Sequence, residues 1–231
     1  MKITGPDNLV KYLTSRVPQL MKVTPEVYFN ISTSDPRSIA FNEQFSELNI
    51  SALGIDDLAD NYNKIGLLQS FYRFIGLNSI ANGYFLMHAS AARFGGKTIA
   101  FGDNGKAVGK TLSSIEMGLV SGEYLGDEFI FFNATTLEIF TDDLIPIHLR
   151  PEVREHFKNK HDLSTRDEFV SKQELGMQYV ETMPLDLICY LNFVSDISLE
   201  RVIKLDKEES ERYALITLSA HTKKMLDPSL Y

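Results

Sequence analysis

Cysteine is almost missing from this 231-residue chain, which has Cys189 alone. A single thiol excludes an intramolecular disulfide, and it suits a reducing compartment. Cys189 lies in an apolar run without a basic neighbour in sequence, so we expect an inert, buried thiol.

Basic residues are scarce relative to acids. The chain has 23 lysines and arginines against 31 aspartates and glutamates, a formal net charge of −8. General binding to nucleic acid or to an anionic membrane needs a basic surface, so we expect neither partner. No run is long and apolar enough to span a bilayer, and Pro6, Asp7 and Asn8 stand where a signal peptide needs an apolar core. These features predict a cytoplasmic protein.

Several chemical signatures are missing too. The sequence has neither a G-x-S-x-G nucleophile elbow nor a G-x-G-x-x-G dinucleotide fingerprint. Four histidines lack the spacing of zinc ligands, which argues against a zinc site: His148, His156, His161 and His221. The remaining composition, with 44% hydrophobic and 23% charged residues, is typical of a globular protein with a full core.

The pattern of apolar residues predicts a small N-terminal covering region over residues 1–60 and a larger domain over residues 61–231. The segments predicted in the first part are a helix over Asp7–Gln19, strands over Glu26–Ile31 and Phe45–Leu53, and a helix that runs from Ile55 to a stop at Gly76. The segments predicted near the other end are strands over Pro184–Val194 and Leu199–Leu205 and a helix over Glu208–Met225. Between them, the highly charged residues 152–175 predict a solvated or mobile excursion.

The stretch Lys97–Phe132 organises the larger domain. A strand over Asn82–Ala92, a tight turn and a partner strand ending at Phe101 lead into a glycine-punctuated loop. The loop ends in Gly109-Lys110-Thr111, and a helical segment and a second apolar run follow. Backbone amides of a glycine-bent loop and the positive end of the next helix both attract phosphate. We therefore predict a nucleotide site.

The loop departs from the strict pattern G-x-x-x-x-G-K-[ST]. Counting back from Gly109 places Asn104 at the first glycine, and Asn tolerates a left-handed backbone well. Alternatively, Gly102 and Gly105 are the loop glycines and the loop is longer. The predicted nucleotide-binding residues are Asn104, Gly105, Lys106, Ala107, Val108, Gly109, Lys110, Thr111 and Leu112. In this set the Lys110 ammonium would meet the outer phosphates, and the Thr111 hydroxyl would bind Mg²⁺.

Two acids follow one helix after the loop. Asp127 and Glu128 could hold Mg²⁺, directly or through water, or accept the proton of an attacking hydroxyl. The alternative is a plain Gly-Asp turn between two strands. His88 has two interpretations as well: a core imidazole bonded to backbone, or a partner that orients a carboxylate near phosphate.

In their order, these motifs resemble the catalytic domain of HPr kinase/phosphorylase. The motifs are Met87–Ala92, Gly96–Gly102, Gly105, Gly109–Thr111 and Gly126–Glu128, and the resemblance covers roughly residues 76–205. Phosphoenolpyruvate carboxykinases share that nucleotide-binding fold. The resemblance implies an α/β fold of α+β character, with a phosphate-loop core, a mixed sheet and a small N-terminal extension.

The resemblance also implies an activity, the transfer of the γ-phosphoryl group of ATP or GTP to a hydroxyl with the help of Mg²⁺. Lys110 would bind the phosphates, while Thr111, Asp127 and Glu128 would serve the metal. One of the two acids would act as the base, near His88. The family's C-terminal signature is not found, so the acceptor could be a protein, a peptide or a small hydroxyl compound. The alternative function is a catalytically degenerate nucleotide-binding or scaffold protein, and self-association into a homo-oligomer stays open.

Overall fold

A computed structural model describes residues 2–16, 27–32, 38–41, 46–51, 61–102, 109–141, 147–149, 151–158, 169–191 and 203–226. They form a mixed α/β structure with a mixed sheet, which confirms the coarse fold class. The chain divides into two compact units, Met1–Phe85 with Lys224–Tyr231, and Leu86–Lys223. The predicted boundary near residue 60 stays a prediction, because residues 52–60 lie outside the described part.

In its described residues, the first unit has a four-stranded sheet and two α-helices. Its elements are β1 (Lys2–Thr4), α1 (Asp7–Arg16), β2 (Tyr28–Ser32), β3 (Ser38–Phe41), β4 (Glu47–Ser51) and α2 (Asn61–Ser79). The strand order is β1-β2-β4-β3, with only β3 antiparallel to its neighbour. The helix predicted from Asp7 is confirmed as far as Arg16, and the strands predicted over Glu26–Ile31 and Phe45–Leu53 correspond to β2 and β4, the other predicted positions lying mostly outside the described residues. Strands β1 and β3 were not predicted.

Helix α2 ends later than predicted. Gly76 is buried inside the helix, which runs to Ser79 and continues as a 3-10 turn over Ile80–Asn82. Gly83 then adopts a left-handed conformation with φ 79°, and its N–H donates to the carbonyl of Ile80. The predicted stop at Gly76 was wrong because a helix tolerates an internal glycine, and its end needs a residue that can leave the right-handed region.

The second unit is built on a curled sheet. Its elements are β5 (Tyr84–Phe94), β6 (Lys97–Gly102), α3 (Lys110–Ser121), β7 (Glu123–Gly126), β8 (Phe129–Asn133), β9 (Glu138–Phe140), β10 (Ile147–His148), α4 (Pro151–Lys158), β11 (Phe169–Val170), β12 (Gln178–Tyr179), β13 (Thr182–Pro184), β14 (Leu187–Tyr190) and α5 (Lys207–Leu226). The main strand order is β12-β7-β5-β8-β9-β13, while β6 lies between β5 and β14. Strands β10 and β11 form a separate pair.

The hairpin that precedes the predicted phosphate loop forms as predicted. Strands β5 and β6 are antiparallel, and the turn between them has positive φ at both Gly95 and Gly96, 58° and 78°. Such turns match the twist of the strands that they join, and they favour glycine at both positions. On its other side β6 pairs in parallel with β14, a strand far along the chain. The site therefore begins on a strand that is held from both sides.

The charged stretch 152–175 is not a solvated excursion where the structure describes it. In α4, Phe157 is fully buried, and Val170 and Leu175 are buried in the same cluster. The prediction was wrong because it followed the charges; a few apolar residues, with Val153 and Phe157 four apart, suffice to bury one side of a short helix. Residues 203–205, the described end of a predicted strand, are not in a strand, whereas the C-terminal helix is confirmed as α5.

Candidate functional site

Helix α3 begins at the predicted motif. Gly109 precedes its first residue with φ 84° and ψ 14°, and the Gly109 carbonyl accepts the N–H of Ser113 at 2.9 Å. A Cβ added at Gly109 would meet no atom of the described residues within 4 Å, so the left-handed backbone conformation is the reason for glycine here. The first amides of a helix have no partners within the helix, and they carry its positive end. The start of α3 thus has the chemistry of an anion site.

The structure locates only part of the predicted nucleotide-binding set. Gly109, Lys110 and Thr111 lie at the start of α3. The side chain of Leu112 packs against a buried apolar cluster, which leaves only its backbone for a ligand. The other members lie outside the described residues: Asn104, Gly105, Lys106, Ala107 and Val108.

Thr111 and Asp127, which are 16 positions apart, meet in the fold. The Thr111 hydroxyl donates a hydrogen bond of 2.9 Å to Oδ2 of Asp127. Asp127 follows β7 directly, and its side chain is buried, with 7% of the residue exposed. Within the described part of the chain, its second oxygen, Oδ1, has no hydrogen-bond partner. A buried carboxylate oxygen without a partner is costly in a closed core and is typical of a ligand site.

Burial gives Asp127 an unusual acidity. Loss of water contact and then the negative charge of Glu128 raise the pKa of the Asp127 carboxyl to about 7. The hydrogen bond from Thr111, the charge of Lys110 and the Glu128 amide act in the opposite direction, but they do not cancel the rise. The carboxyl is therefore poised between its protonated and ionised forms at neutral pH.

The two acids also form a turn, as the alternative interpretation required. The N–H of Phe129 donates to the carbonyl of Asp127 at 2.8 Å, and Glu128 between them has φ 63°. A three-residue turn of this hand is rare and strained for a residue with a side chain. It connects β7 to β8 and leaves Asp127 against the start of α3. The residues of the turn are thus also residues of the candidate site. The interpretation of Asp127 and Glu128 as a turn and their interpretation as functional acids are therefore compatible.

His88 joins the site through Lys110. It lies half-buried in β5, and its Nε2 is 3.5 Å from the Lys110 ammonium nitrogen. A neutral imidazole can accept a hydrogen from an ammonium group, so this geometry suits a histidine that holds the lysine in place. The structure therefore brings together all four residues that were predicted to be catalytic: His88, Lys110, Asp127 and Glu128.

Gly102 has a packing role. A Cβ added there would lie 2.5 Å from Cε1 of Tyr190 and 2.9 Å from the Thr217 hydroxyl oxygen. The backbone of β6 can therefore approach the Tyr190 ring only if position 102 has no side chain. Cys189, next to that ring in sequence, is half-buried rather than buried, and desolvation raises the pKa of its thiol. The higher pKa favours the protonated thiol, which is the less nucleophilic form.

Sequence reasoning missed two tyrosines near this edge of the sheet, Tyr190 in β14 and Tyr213 in α5. Their rings are stacked on each other, although the two residues are 23 positions apart. The only signal available was the aromatic residue at the end of an apolar strand.

Comparison with known proteins identifies no family for this chain. No protein-family model matches the chain, and none of the curated proteins matches it. The described residues contain no helix long and apolar enough to cross a membrane. Nor do they contain a group of three or more histidine, cysteine, aspartate or glutamate side chains placed to hold a metal ion.

Proposed function

We propose that the chain is a Mg²⁺-dependent phosphotransferase that moves the γ-phosphoryl group of ATP or GTP to a hydroxyl of a protein, peptide or small molecule. The observation that carries the proposal is the bond between Thr111 and the buried Asp127 at the start of α3. The order of hairpin, loop, helix and acid pair supports a core like that of HPr kinase and phosphoenolpyruvate carboxykinase. Such chemistry depends on positioning and charge neutralisation, and it needs no covalent intermediate.

The residues at the site fit a magnesium ion. Mg²⁺ prefers hard oxygen ligands, and it commonly binds through one or two carboxylates together with phosphate and water. Thr111 and Asp127 would hold it, through Oδ1 of Asp127, which has no hydrogen-bond partner among the described residues, with Glu128 next in sequence. When bound, the ion would neutralise negative charge on the phosphates.

The two acids divide the remaining work according to their exposure. Asp127 is buried and accepts a hydrogen bond from Thr111, so its carboxylate would be the one that binds the metal. Glu128 is partly exposed on the strained turn, and its carboxylate would take the proton from an acceptor hydroxyl. Lys110 and the first amides of α3 bind the phosphates, and His88 orients the lysine.

The experiment is a comparison of nucleotide affinity with and without Mg²⁺ in three variants. In Thr111→Val the hydroxyl is lost at nearly constant volume, in Thr111→Ser it is kept, and Thr136→Val is a control in an exposed turn. We expect Mg²⁺ to tighten binding of a non-hydrolysable ATP analogue in wild type, in Thr111→Ser and in Thr136→Val, but much less in Thr111→Val. An equal gain from Mg²⁺ in wild type and in Thr111→Val would contradict the assignment.

Turnover separates the kinase from the scaffold alternative. Asp127→Asn should lower phosphoryl transfer about a hundredfold or more, the scale on which catalytic carboxylates act. Mass spectrometry after incubation with ATP and candidate hydroxyl compounds measures the product. If wild type binds Mg²⁺-ATP but transfers no phosphoryl group to any acceptor or to water, the chain is a nucleotide-binding scaffold.

A further inference from the structure

Two tyrosine rings are stacked in the second unit. The ring centroids of Tyr190, in β14, and Tyr213, in α5, are 5.0 Å apart, with 25° between their planes. The Arg212 guanidinium carbon lies 5.2 Å from the Tyr213 centroid. Planar aromatic rings and a planar guanidinium are the groups on which nucleobases stack in proteins.

The stack lies at the edge of the sheet from which the phosphate loop leaves. In the parallel pair β6–β14, Tyr190 is the register partner of Gly102, the last residue of β6. The carboxyl ends of both strands therefore reach the same edge, and ligands of open α/β sheets bind outside such ends. The missing side chain at Gly102 lets the Tyr190 ring lie directly against the strand that enters the loop.

The surroundings of the rings suit a flat, largely apolar ligand. Both tyrosines are only partly buried, although their rings are large. Ile216 lies three residues after Tyr213 on α5, hence on the same side of the helix, and it is 37% exposed. Desolvation raises the pKa of the Tyr190 hydroxyl, so the ring stays neutral. A neutral aromatic surface with an exposed isoleucine at its border thus lies at the end of β6, where Gly102 pairs with Ala89, the residue after the His88 that contacts Lys110.

We propose that the Tyr213 ring, backed by the Tyr190 ring and bordered by Ile216, forms the platform on which the purine base of the nucleotide stacks. The inference rests on the proposed function, because the phosphates at the start of α3 would bring the base to this edge. Stacking uses the ring face that every base has, so the platform accepts adenine and guanine alike.

The test compares two ligands, Mg²⁺-ATP and Mg²⁺-tripolyphosphate, which share the phosphates and differ in the base. Their dissociation constants are measured by calorimetry for wild type, Tyr213→Leu and Tyr213→Phe, with Tyr28→Leu as a control at a 46% exposed tyrosine of the first unit. Tyr213→Leu keeps apolar volume without the ring, and Tyr213→Phe keeps the ring. We expect Tyr213→Leu to weaken ATP about ten- to a hundredfold and tripolyphosphate less than about twofold. Tyr213→Phe and Tyr28→Leu should leave both affinities unchanged.

A second readout needs no variant. The chain has 10 tyrosines and no tryptophan, so its near-ultraviolet emission comes from tyrosine. ATP should quench this emission and tripolyphosphate should not, since only the base contacts a ring.

The outcomes separate the platform from the proposed function. Equal losses for both ligands in Tyr213→Leu, or a loss for neither, would overturn the platform while the phosphate site stands. Loss of ATP affinity in Tyr213→Leu, in a protein that binds no tripolyphosphate, would support the platform and refute the phosphate site. Failure of wild type to bind either ligand would overturn both.

Discussion

Binding of a Mg²⁺-nucleotide should release a proton from Asp127. With a pKa of about 7, half of these carboxyl groups are protonated at neutral pH. An ion held by the carboxylate requires the ionised form, so the proton must leave. The release should be about 0.9 proton per site at pH 6, about 0.5 at pH 7 and about 0.1 at pH 8. By linkage, affinity for the Mg²⁺-nucleotide should rise about tenfold from pH 6 to pH 8.

The assay is calorimetric titration with a non-hydrolysable ATP analogue in two buffers of different ionisation enthalpy. The difference in apparent binding enthalpy gives the number of protons exchanged. Asp127→Asn serves as the matched control, because it keeps the shape of the side chain and reports the protons exchanged by the nucleotide itself. Without Mg²⁺ the sign should reverse, since negative phosphates near Asp127 raise its pKa and favour uptake of a proton.

A clear result would refute this reasoning. If wild type and Asp127→Asn exchange the same number of protons at pH 7 with saturating Mg²⁺, then Asp127 does not change its protonation on binding. Proton uptake by wild type with Mg²⁺ present would show that the carboxylate meets phosphate rather than the metal.

Three further predictions concern stability and the phosphate site. The pKa of Asp127 in the folded protein, about 7, lies above the ordinary value of an aspartate, 3.8, so the contribution of this carboxyl to stability is present below the ordinary value and is lost as pH rises to about 7. Between pH 5 and pH 8 the free energy of unfolding of Asp127→Asn, measured by chemical denaturation, should therefore increase by about 3 kcal/mol relative to wild type. Gly102→Ala would place its Cβ 2.5 Å from the Tyr190 ring, so it should cost about 1 to 3 kcal/mol in the same assay, and an unchanged midpoint would contradict the packing role. Lys110→Ala should remove most of the nucleotide affinity in a titration. Gly109→Ala should lower the free energy of unfolding by about 1 to 2 kcal/mol, because an alanine is strained at a φ of 84° even though its Cβ would meet no described atom within 4 Å.

The local parts of the site could be predicted from the sequence. Gly95 and Gly96 indicate a two-residue turn, and Gly109-Lys110-Thr111 before apolar residues indicates the start of a helix; both signals lie within a few residues, and both features are found in the structure. Phosphate binding by the loop before that helix stays a prediction. The meeting of Thr111 with Asp127 followed from the order of elements, since the helix returns the chain to the sheet. The hydrogen bond between Thr111 and Asp127, the raised pKa of Asp127 and the strained turn at Glu128 are seen only in the structure.

Other features depend on partners far away in sequence. In the sequence Gly76 looks like a helix end, but in the fold it is buried inside α2. Phe157 lies in a charged segment, and only the apolar cluster that it joins explains its burial. Tyr190 and Tyr213 become a pair because β14 adds to β6 and α5 places a ring against it. Spacing along the chain does not encode such contacts.

The position of β6 between β5 and β14 also affects the order in which this unit can fold. Its hairpin partner β5 is adjacent in sequence, but its other neighbour, β14, comes much later. The N–H of Thr98 donates to the carboxylate of Asp186, which directly precedes β14 and lies 88 positions further along the chain. At a synthesis rate of about 5 to 20 residues per second, the outer edge of β6 waits roughly 4 to 18 seconds for β14 to be made. During that interval the strand that enters the phosphate loop is an open edge, which is the kind of surface that pairs with other chains. Folding of this unit on the ribosome should therefore be the stage at which it is most exposed to aggregation and most dependent on chaperones.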